Sequence, residues 1–257
     1  MIDKVFQRKR RGLVEAYETL FGVHCALYSG GGLAEFAVAK ETLTVPRPPE
    51  VSAAEGAGSP IASLTAHVTL AQSAGVKLDG SGPRKNIRIT AASSGIGQFA
   101  VQLAKLGNTH VTATHRAHNM DFLKSLGADE ILDYKTPEGS SLKSVSEQKY
   151  DAIIQCTTGI PWFTFEPNLS ANGNVIDLTP SSGALVSSLL KKLAFFKKQP
   201  VPLLLAAKGE NLDYLVKLVK EGKLKIVIDS KYPRSKVEDA WAKSIDSHAT
   251  GKIIVEP

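Results

Sequence analysis

The sequence is poor in the features that mark secreted scaffolds, zinc-stapled modules and membrane-spanning proteins. Its 257 residues include only two cysteines, Cys25 and Cys156, which exclude a disulfide framework and a four-cysteine zinc site. Free thiols fit a reducing compartment such as the cytoplasm. No apolar run approaches the ~20 residues that a membrane-spanning helix needs. Apolar residues make up 43% of the chain and charged residues 22%, a composition typical of a globular protein with one or two domains.

Excess positive charge is scarce outside the first eleven residues. The net charge is +6, and residues 1–11, with five basic side chains and one acidic one, account for +4 of it. The remainder is too evenly balanced for the basic stripe of a nucleic-acid-binding surface, so we expect no nucleic-acid partner. The basic start lacks an apolar segment and contains acidic residues, which is typical of neither a secretory signal nor a transit peptide.

From Asn86 onwards, short strand-like runs alternate with helical stretches. Strands are predicted at Asn86–Thr90, His110–Thr114, Glu130–Leu132, Asp151–Gln155 and Asn174–Leu178. The helix between the first two strands is expected to end at Gly107, and the next, near Asn119–Leu126, at Gly127, each glycine in the position that follows a helix. Because a parallel strand pair needs a long crossover, this alternation predicts βαβ units and an α/β fold with a parallel sheet.

The flanking parts of the chain have weaker patterns. A strand is predicted within Ala34–Ala39, after the glycines at 30–32. The alanine-rich residues 51–74 favour helical turns in a packed interior. Two amphipathic helices, each followed by a strand, are predicted near the C-terminus: Leu212–Lys220 with Lys225–Ile228, and Lys236–Ser247 with Lys252–Val255.

A turn of small residues follows the first predicted strand, which is where a dinucleotide-binding turn must lie. Residues 92–97 (Ala-Ser-Ser-Gly-Ile-Gly) fit the pattern Gly-x-Gly-x-x-Gly with two of its three glycines replaced. Small residues let the backbone approach a pyrophosphate, and the helix N-terminus supplies N–H donors. The alternative is a tight strand-to-helix turn that binds nothing.

The second predicted strand ends without an acidic residue. An NAD-binding site usually places Asp or Glu there for the ribose 2′-hydroxyl, whereas this chain has Thr114, His115 and Arg116. Because His115 and Arg116 can hold a 2′-phosphate, the pattern favours NADPH over NADH. The alternative is that Arg116 is a solvated surface charge.

Six stretches of the sequence carry a family signature. They are Gly30–Ala39, Ala100–Gly107, Ser125–Glu130, Leu132–Lys135, Phe165–Ser170 and Gly251–Pro257. They resemble the zinc-independent, quinone-oxidoreductase (ζ-crystallin-like) branch of the medium-chain dehydrogenase/reductase superfamily. The resemblance covers residues 26–257, about nine-tenths of the chain.

The resemblance implies a doubly wound parallel (Rossmann) sheet plus an incomplete GroES-like barrel domain built from both ends of the chain. The expected division is an atypical segment at 1–25, a GroES-like remnant at 26–75 and 207–257, and a Rossmann NADP-binding domain at 76–206. Because the plant members that this chain resembles are located in the chloroplast envelope, the resemblance also implies a plastid location.

The resemblance also implies NADPH-dependent reduction of quinones or α,β-unsaturated carbonyls by hydride transfer, with no residue assigned as catalytic. By matching positions, it places the pyrophosphate at the turn of residues 92–97, called the glycine turn below. It places the adenosine at the ends of the second and third predicted strands and the nicotinamide at the ends of the fourth and fifth. The implied cofactor-binding residues are Ser94, Gly95, Ile96, Gly97, Thr114, His115, Arg116, Tyr134, Cys156, Thr157, Leu178 and Thr179.

Three departures from the family pattern keep a second reading open. Ser94 stands where glycine is expected, and His118 stands where close relatives carry arginine, with Arg116 two residues earlier at a position usually held by glycine. Residues 1–25 do not resemble the family's opening part, which covers the nicotinamide. The alternative function is therefore a nucleotide-binding homologue with impaired catalysis.

Other chemistry has weaker support. The Tyr-x-x-x-Lys spacing of short-chain dehydrogenases occurs only at Tyr232–Lys236, where Pro233 argues against it. The pair His24–Cys25 has no companion cluster, so we expect no metal. The basic amphipathic stretch Leu189–Lys198 either packs on its domain or contacts an anionic membrane surface, and a homodimer remains open.

Overall fold

The described part of the protein groups into two compact units. The computed structural model describes residues 43–180, 198, 200–203 and 208–256, together with the backbone of 5–6 and 37–38. One unit comprises residues 1–65 and 205–257, and the other residues 66–204. The boundary expected at 75/76 lies later in the chain than this division, and the function of each unit stays a prediction.

The first unit begins with a short antiparallel pair and continues into helices. Strand β1 (Val5–Phe6) pairs with β2 (Ala37–Val38). β2 lies within the strand predicted at Ala34–Ala39, whereas β1 was not predicted. The preceding glycines and most of residues 1–25 lie outside the described residues. Helix α1 (Ala53–Gly58) is followed by α2 (Pro60–Val68), which crosses the unit boundary after residue 65 and runs into a π-helical turn at Thr69–Ser73 in the second unit. The helical turns predicted for residues 51–74 are confirmed.

A capping box starts α1. The Ser52 side chain accepts a hydrogen bond from the Glu55 amide, and the Glu55 carboxylate accepts one from the Ser52 amide at 2.9 Å. Two amide groups that the helix itself leaves unpaired are thus satisfied by side chains. The local sequence therefore fixes where this helix begins.

The unit of residues 66–204 is built on a six-stranded parallel sheet. Its strands are β3 (Asn86–Ile89), β4 (His110–His115), β5 (Glu130–Asp133), β6 (Tyr150–Gln155), β7 (Leu169–Asp177) and β8 (Pro200–Pro202). They lie side by side in the order β5-β4-β3-β6-β7-β8, and every neighbouring pair is parallel. This is the order of the doubly wound Rossmann sheet, which confirms the expected fold class.

The helices of this unit occupy the crossovers between strands. They are α3 (Gly97–Leu106), α4 (Met120–Ser125), α5 (Pro137–Ser140) and α6 (Trp162–Phe165), with 3-10 turns at Ala117–Asn119 and Glu166–Asn168. Gly107 directly follows α3, as predicted, with φ of −84°, and Asn108 after it takes the left-handed conformation at 54°. Gly127 lies just beyond α4, as predicted, and has a left-handed backbone with φ of 98°.

The sequence predicted most strands closely and two strands poorly. β3 to β6 differ from their predicted bounds by about one residue at either end. β7 begins at Leu169, earlier than predicted, because Leu169 pairs with Tyr150 before the register shifts. β8 was not predicted, because its two prolines cannot donate to a ladder and are uncommon in strands.

An arginine lies in the middle of this sheet. Arg88 on β3 is fully buried, and its guanidinium donates to the Tyr150 hydroxyl at 3.1 Å and to the Gly139 carbonyl at 3.2 Å. Burial lowers the pKa of Arg88, because the charged form loses its hydration. Ile87 and Ile89 on either side are also fully buried, so the strand is covered on both faces, as expected for a parallel sheet.

The C-terminal part of the first unit repeats the strand–helix–strand pattern. Its elements in order are α7 (Gly209–Lys220), β9 (Ile228–Pro233), α8 (Val237–Asp246) and β10 (Lys252–Glu256). β9 and β10 are parallel, with α8 as their crossover. The strand predicted at Lys225–Ile228 was wrong: Lys223 and Leu224 still bond the Leu218 carbonyl at the end of α7, so pairing starts only at Ile228.

Gly251, directly before β10, offers a test of this close packing. It has φ of 93°, and a Cβ there would lie 2.4 Å from the Val227 carbonyl oxygen. Gly222 also has a positive φ, of 69°, but its Cβ would have no neighbour within 4 Å. We therefore expect Gly251→Ala to cost ~1–3 kcal/mol more unfolding free energy than Gly222→Ala, because only the former adds a backbone clash to the φ penalty. Urea denaturation of the full chain measures both losses, and equal losses would contradict the packing at Gly251.

Candidate nucleotide-binding site

The predicted site residues lie at the carboxyl ends of five neighbouring strands, at the edge of the sheet. Hydrogen bonds connect these ends in series. The bonds are Tyr134 N to His115 O (3.3 Å), Ala92 N to Thr114 O (3.1 Å), Cys156 N to Thr90 Oγ1 (3.0 Å) and Leu178 N to Gln155 O (3.2 Å). The strand order reverses between β3 and β6, and doubly wound sheets bind ligands at that point, outside the carboxyl ends.

The turn after β3 is closed by a contact that only glycine permits. Ala91 has a left-handed backbone, with φ of 46°, and its carbonyl accepts a hydrogen bond from the Ser94 amide at 2.9 Å. A Cβ on Gly97 would lie 2.5 Å from the Ala91 oxygen and 2.7 Å from the Ala92 Cα. Gly97 therefore lets α3 begin directly against the turn.

The amides at the start of α3 differ in their partners. The Gly97 amide donates to Ser94 Oγ at 3.1 Å. The half-buried Gly95 and Ile96 amides have no hydrogen-bond partner within the described ranges. Two backbone donors at a helix N-terminus are thus available to an anion, and a third is occupied by the Ser94 hydroxyl.

A basic group stands at the end of β4. The half-buried Arg116 donates from Nε to the Tyr134 hydroxyl at 2.7 Å. Tyr134 is 42% exposed. The nearby Asp133 carboxylate accepts from the Ala117 amide at 3.2 Å and the Lys135 amide at 2.9 Å, so local backbone donors already hold it.

Asn119 was missed by the sequence analysis. This residue is 5% exposed, and its side-chain nitrogen lies 2.9 Å from Ser93 Oγ and 3.0 Å from His115 Nδ1. It thereby joins the glycine turn to the end of β4. No sequence signal could have found it, because an asparagine after a strand is most simply a turn residue.

Thr114 sits beneath these groups with an unused hydroxyl. It is 3% exposed, and its Oγ1 has no hydrogen-bond partner among the described residues. A buried hydroxyl without a partner is costly in a folded protein. Together with the two available amides and the close Gly97 contact, it indicates that this edge fits an oxygen-rich ligand such as a dinucleotide.

The residues implied for the nicotinamide side are less buried. Thr157 and Leu178 are half-buried and Thr179 is exposed. The Thr179 amide donates to Asp177 Oδ1 at 3.0 Å. Burial raises the pKa of Cys156 to about 12, so its thiol stays protonated at neutral pH.

Two sequence-based expectations concern other kinds of site. Within the part of the chain that the structure describes, no group of three or more His, Cys, Asp or Glu side chains could hold a metal ion. Of the helices described, none is long and apolar enough to cross a membrane. His24–Cys25 and nearly all of the basic stretch Leu189–Lys198 lie outside the described residues.

Comparison with known proteins identifies the family. The sequence model of the family described as zinc-binding dehydrogenase matches residues 126–255. Over 229 residues the chain is 67% identical to "Quinone-oxidoreductase homolog, chloroplastic" of Spinacia oleracea, which covers 89% of this chain and 70% of that protein. The chain belongs to this family. Within it, the chain lies in the quinone-oxidoreductase branch of the medium-chain dehydrogenase/reductases, as the resemblance predicted.

Other relatives agree with this assignment. "Quinone-oxidoreductase QR1, chloroplastic" of Triphysaria versicolor is 64% identical and covers 90% of this chain and 70% of its own length. The solved quinone oxidoreductase of Coxiella burnetii superposes with a TM-score of 0.75 at 28% identity, covering 87% of this chain and 67% of that one. The family is one of NAD(P)H-dependent oxidoreductases. The chain spans about 70% of the two plant relatives' length.

The pKa of Cys156 predicts low thiol reactivity. In a Cys25→Ser variant, where Cys156 is the sole thiol, iodoacetamide at pH 8 should alkylate the native chain roughly a thousandfold more slowly than the urea-unfolded chain. The pKa of the Cys156 thiol is about 12 in the folded chain, compared with 9.0 for an ordinary thiol. Stability from this group is therefore present below about pH 9 and falls as pH rises, because the unfolded thiol ionises first. Equal native and unfolded rates would contradict the burial of the thiol.

Proposed function

We propose that this chain binds NADPH and uses it to reduce quinones or α,β-unsaturated carbonyls by hydride transfer. The observation that carries the cofactor choice is the basic group at the end of β4. Arg116 stands there, whereas an NAD site has an acid for the ribose 2′-hydroxyl, and Asp133 on the neighbouring strand is held by backbone amides. A guanidinium suits a 2′-phosphate, which it can bind with two parallel hydrogen bonds.

Each part of the edge has a role in this proposal. The Gly95 and Ile96 amides bind the pyrophosphate, aided by the positive end of the α3 dipole. Arg116 and Tyr134, already joined at 2.7 Å, hold the phosphorylated ribose and the adenine end. The ends of β6 and β7, from Cys156 to Thr157 and from Leu178 to Thr179, line the nicotinamide side.

The chemistry itself is supplied by the coenzyme when bound, since the dihydronicotinamide donates a hydride to an electrophilic carbon. The protein orients that ring and limits the water around it. The protonated Cys156 thiol adds no charge at this place, because burial raises its pKa to about 12. The enolate or hydroquinone oxygen can take its proton from solvent, so no side chain is required as the acid.

The substrate class is supported by the relatives. The spinach and Triphysaria proteins are named quinone oxidoreductases, and a 30% identical Arabidopsis thaliana protein is named "NADPH-dependent alkenal/one oxidoreductase, chloroplastic". Quinones, alkenals and alkenones share a conjugated carbonyl system, which can accept a hydride. The same relatives support a plastid location for this chain.

The direct test is NADPH oxidation at 340 nm with a small quinone and a small enone. The proposal expects turnover that depends on both protein and acceptor, above the spontaneous reaction. NADPH binding by calorimetry without turnover would reject the catalytic part, and no binding at millimolar NADPH would reject the proposal entirely.

Replacing Arg116 tests the cofactor choice. Arg116→Ala should weaken NADPH binding by about tenfold or more, because a charge-assisted hydrogen bond contributes ~1.5–3 kcal/mol. NADH binding should change less than about twofold, because NADH carries no 2′-phosphate. Arg84→Ala, at an exposed arginine before β3, is the matched control and should leave both affinities unchanged. Equal losses for the two coenzymes on Arg116→Ala would remove the argument for NADPH.

A second candidate is a nucleotide-binding homologue with impaired catalysis. The specific observation in its favour is that Ser94 Oγ occupies the Gly97 amide at 3.1 Å. A phosphate oxygen must then compete with this hydroxyl for a donor that glycine at position 94 would leave available.

Ser94 variants separate the effect of the hydroxyl from that of its Cβ. Ser94→Gly should tighten NADPH binding by about two- to tenfold, the equivalent of one hydrogen bond. If the hydroxyl is responsible, Ser94→Ala gives the same gain. A gain for glycine alone would assign the effect to crowding by the Cβ, and no gain in either would show that Ser94 does not impede the nucleotide. Calorimetric titration of the three proteins measures the difference.

A further inference from the structure

Asn119 connects two loops that the proposed function uses for different parts of the nucleotide. Its Nδ2 lies 2.9 Å from Ser93 Oγ in the glycine turn and 3.0 Å from His115 Nδ1 at the end of β4. Its backbone amide donates to the Arg116 carbonyl at 3.1 Å. Asn119 therefore connects the turn at residues 92–97, the His115 ring and the backbone of Arg116.

The surroundings of Asn119 make these bonds specific. Asn119 is 5% exposed and Ser93 is fully buried, so bulk water does not replace a missing partner cheaply. A side-chain amide nitrogen carries two hydrogens and accepts none. Both hydrogens are therefore used, one for Ser93 Oγ and one for His115 Nδ1.

This contact selects a tautomer of His115. Because an amide nitrogen can only donate, Nδ1 must be the acceptor, which is its role in the Nε2–H tautomer. The His118 ring lies nearly perpendicular to it, with the two ring centres 6.1 Å apart. His115 is thereby kept as a hydrogen-bond donor at Nε2, the state that suits ribose and phosphate oxygens.

We propose that Asn119 is a positioning residue for the nucleotide: its amide fixes the Nε2–H tautomer of His115 and at the same time locks the glycine turn to the end of β4. The affinity part rests on the proposed function, while the tautomer part does not. Asn119 itself contacts the supporting groups and acts on the coenzyme only through them.

Asn119→Asp is the discriminating variant, because it keeps the shape and removes both donors. A carboxylate only accepts, so His115 must turn its Nδ1 into a donor. The matched control is Asn168→Asp, since Asn168 is 7% exposed and its Nδ2 also makes two hydrogen bonds, to Ser141 O at 2.8 Å and to Thr164 O at 2.9 Å. Asn168 lies in the same unit and belongs to none of the groups assigned to the nucleotide.

The first measurement is the long-range ¹H–¹⁵N spectrum of the histidine rings in the full chain, with His115 assigned by its loss in His115→Gln. We expect wild type and Asn168→Asp to show the Nε2–H tautomer of His115, and Asn119→Asp to show a proton on Nδ1. A wild-type spectrum with Nδ1 protonated would overturn the proposal without any variant being needed.

The second measurement is NADPH binding by calorimetry. Asn119→Asp should raise the Kd about tenfold or more, and Asn168→Asp should change it by less than about twofold at a similar loss of thermal stability. Unchanged binding by Asn119→Asp would overturn the positioning role. If the wild type itself does not bind NADPH, the proposed function fails, and the His115 spectrum still decides whether Asn119 sets the tautomer.

Discussion

The contact of Gly97 with the Ala91 carbonyl decides where helix α3 begins, and the candidate site depends on that position. A side chain at 97 would enter the space of the Ala91 oxygen and the Ala92 Cα, so the helix would have to withdraw from the turn. The Gly95 and Ile96 amides would then move away from the sheet edge. Since the turn is also bonded to Thr114 on the neighbouring strand, the proposed phosphate side and the proposed adenosine side both take their positions from this one approach.

The polar groups of the site are held by one another and by the backbone. Tyr134 binds Arg116, Asn119 binds Ser93 and His115, and the Asp133 carboxylate is held by two amides. Groups that are already oriented lose less conformational entropy when a ligand arrives, so more of their interaction energy appears as affinity. The side chains are oriented by short-range hydrogen bonds at the ends of three neighbouring strands. The parallel sheet brings those ends together.

The sequence predicted what depends on local pattern and missed what depends on contacts. The alternation of strands and helices predicted β3 to β7 along the chain and their parallel pairing, the family resemblance implied their doubly wound order, and the small residues at 92–97 predicted the turn. Gly107 follows α3 as predicted, but the contact that requires glycine there could not be predicted: a Cβ would lie 2.2 Å from Val76 Cγ1. The burial of Arg88 could not be predicted from the sequence, because it depends on hydrogen bonds to the distant Gly139 carbonyl and the Tyr150 hydroxyl. Asn119 was missed for the same reason: its two partners are apart in sequence and meet only in the folded sheet.

β8 is the last strand of the sheet among the described residues, and its two prolines limit how this border can pair. The Leu203 amide points inward to Asp177 at 3.0 Å, and alternate residues of a strand direct their amides to opposite sides. The Val201 amide therefore points towards β7 as well. The backbone groups of Pro200 and Pro202 point away from β7, and a proline nitrogen carries no hydrogen to donate. Over residues 200–202, the outer border presents carbonyl oxygens alone. A neighbouring chain laid along it would find acceptors but no donors, so this stretch resists the growth of the sheet into a larger ladder and the aggregation that exposed strands invite.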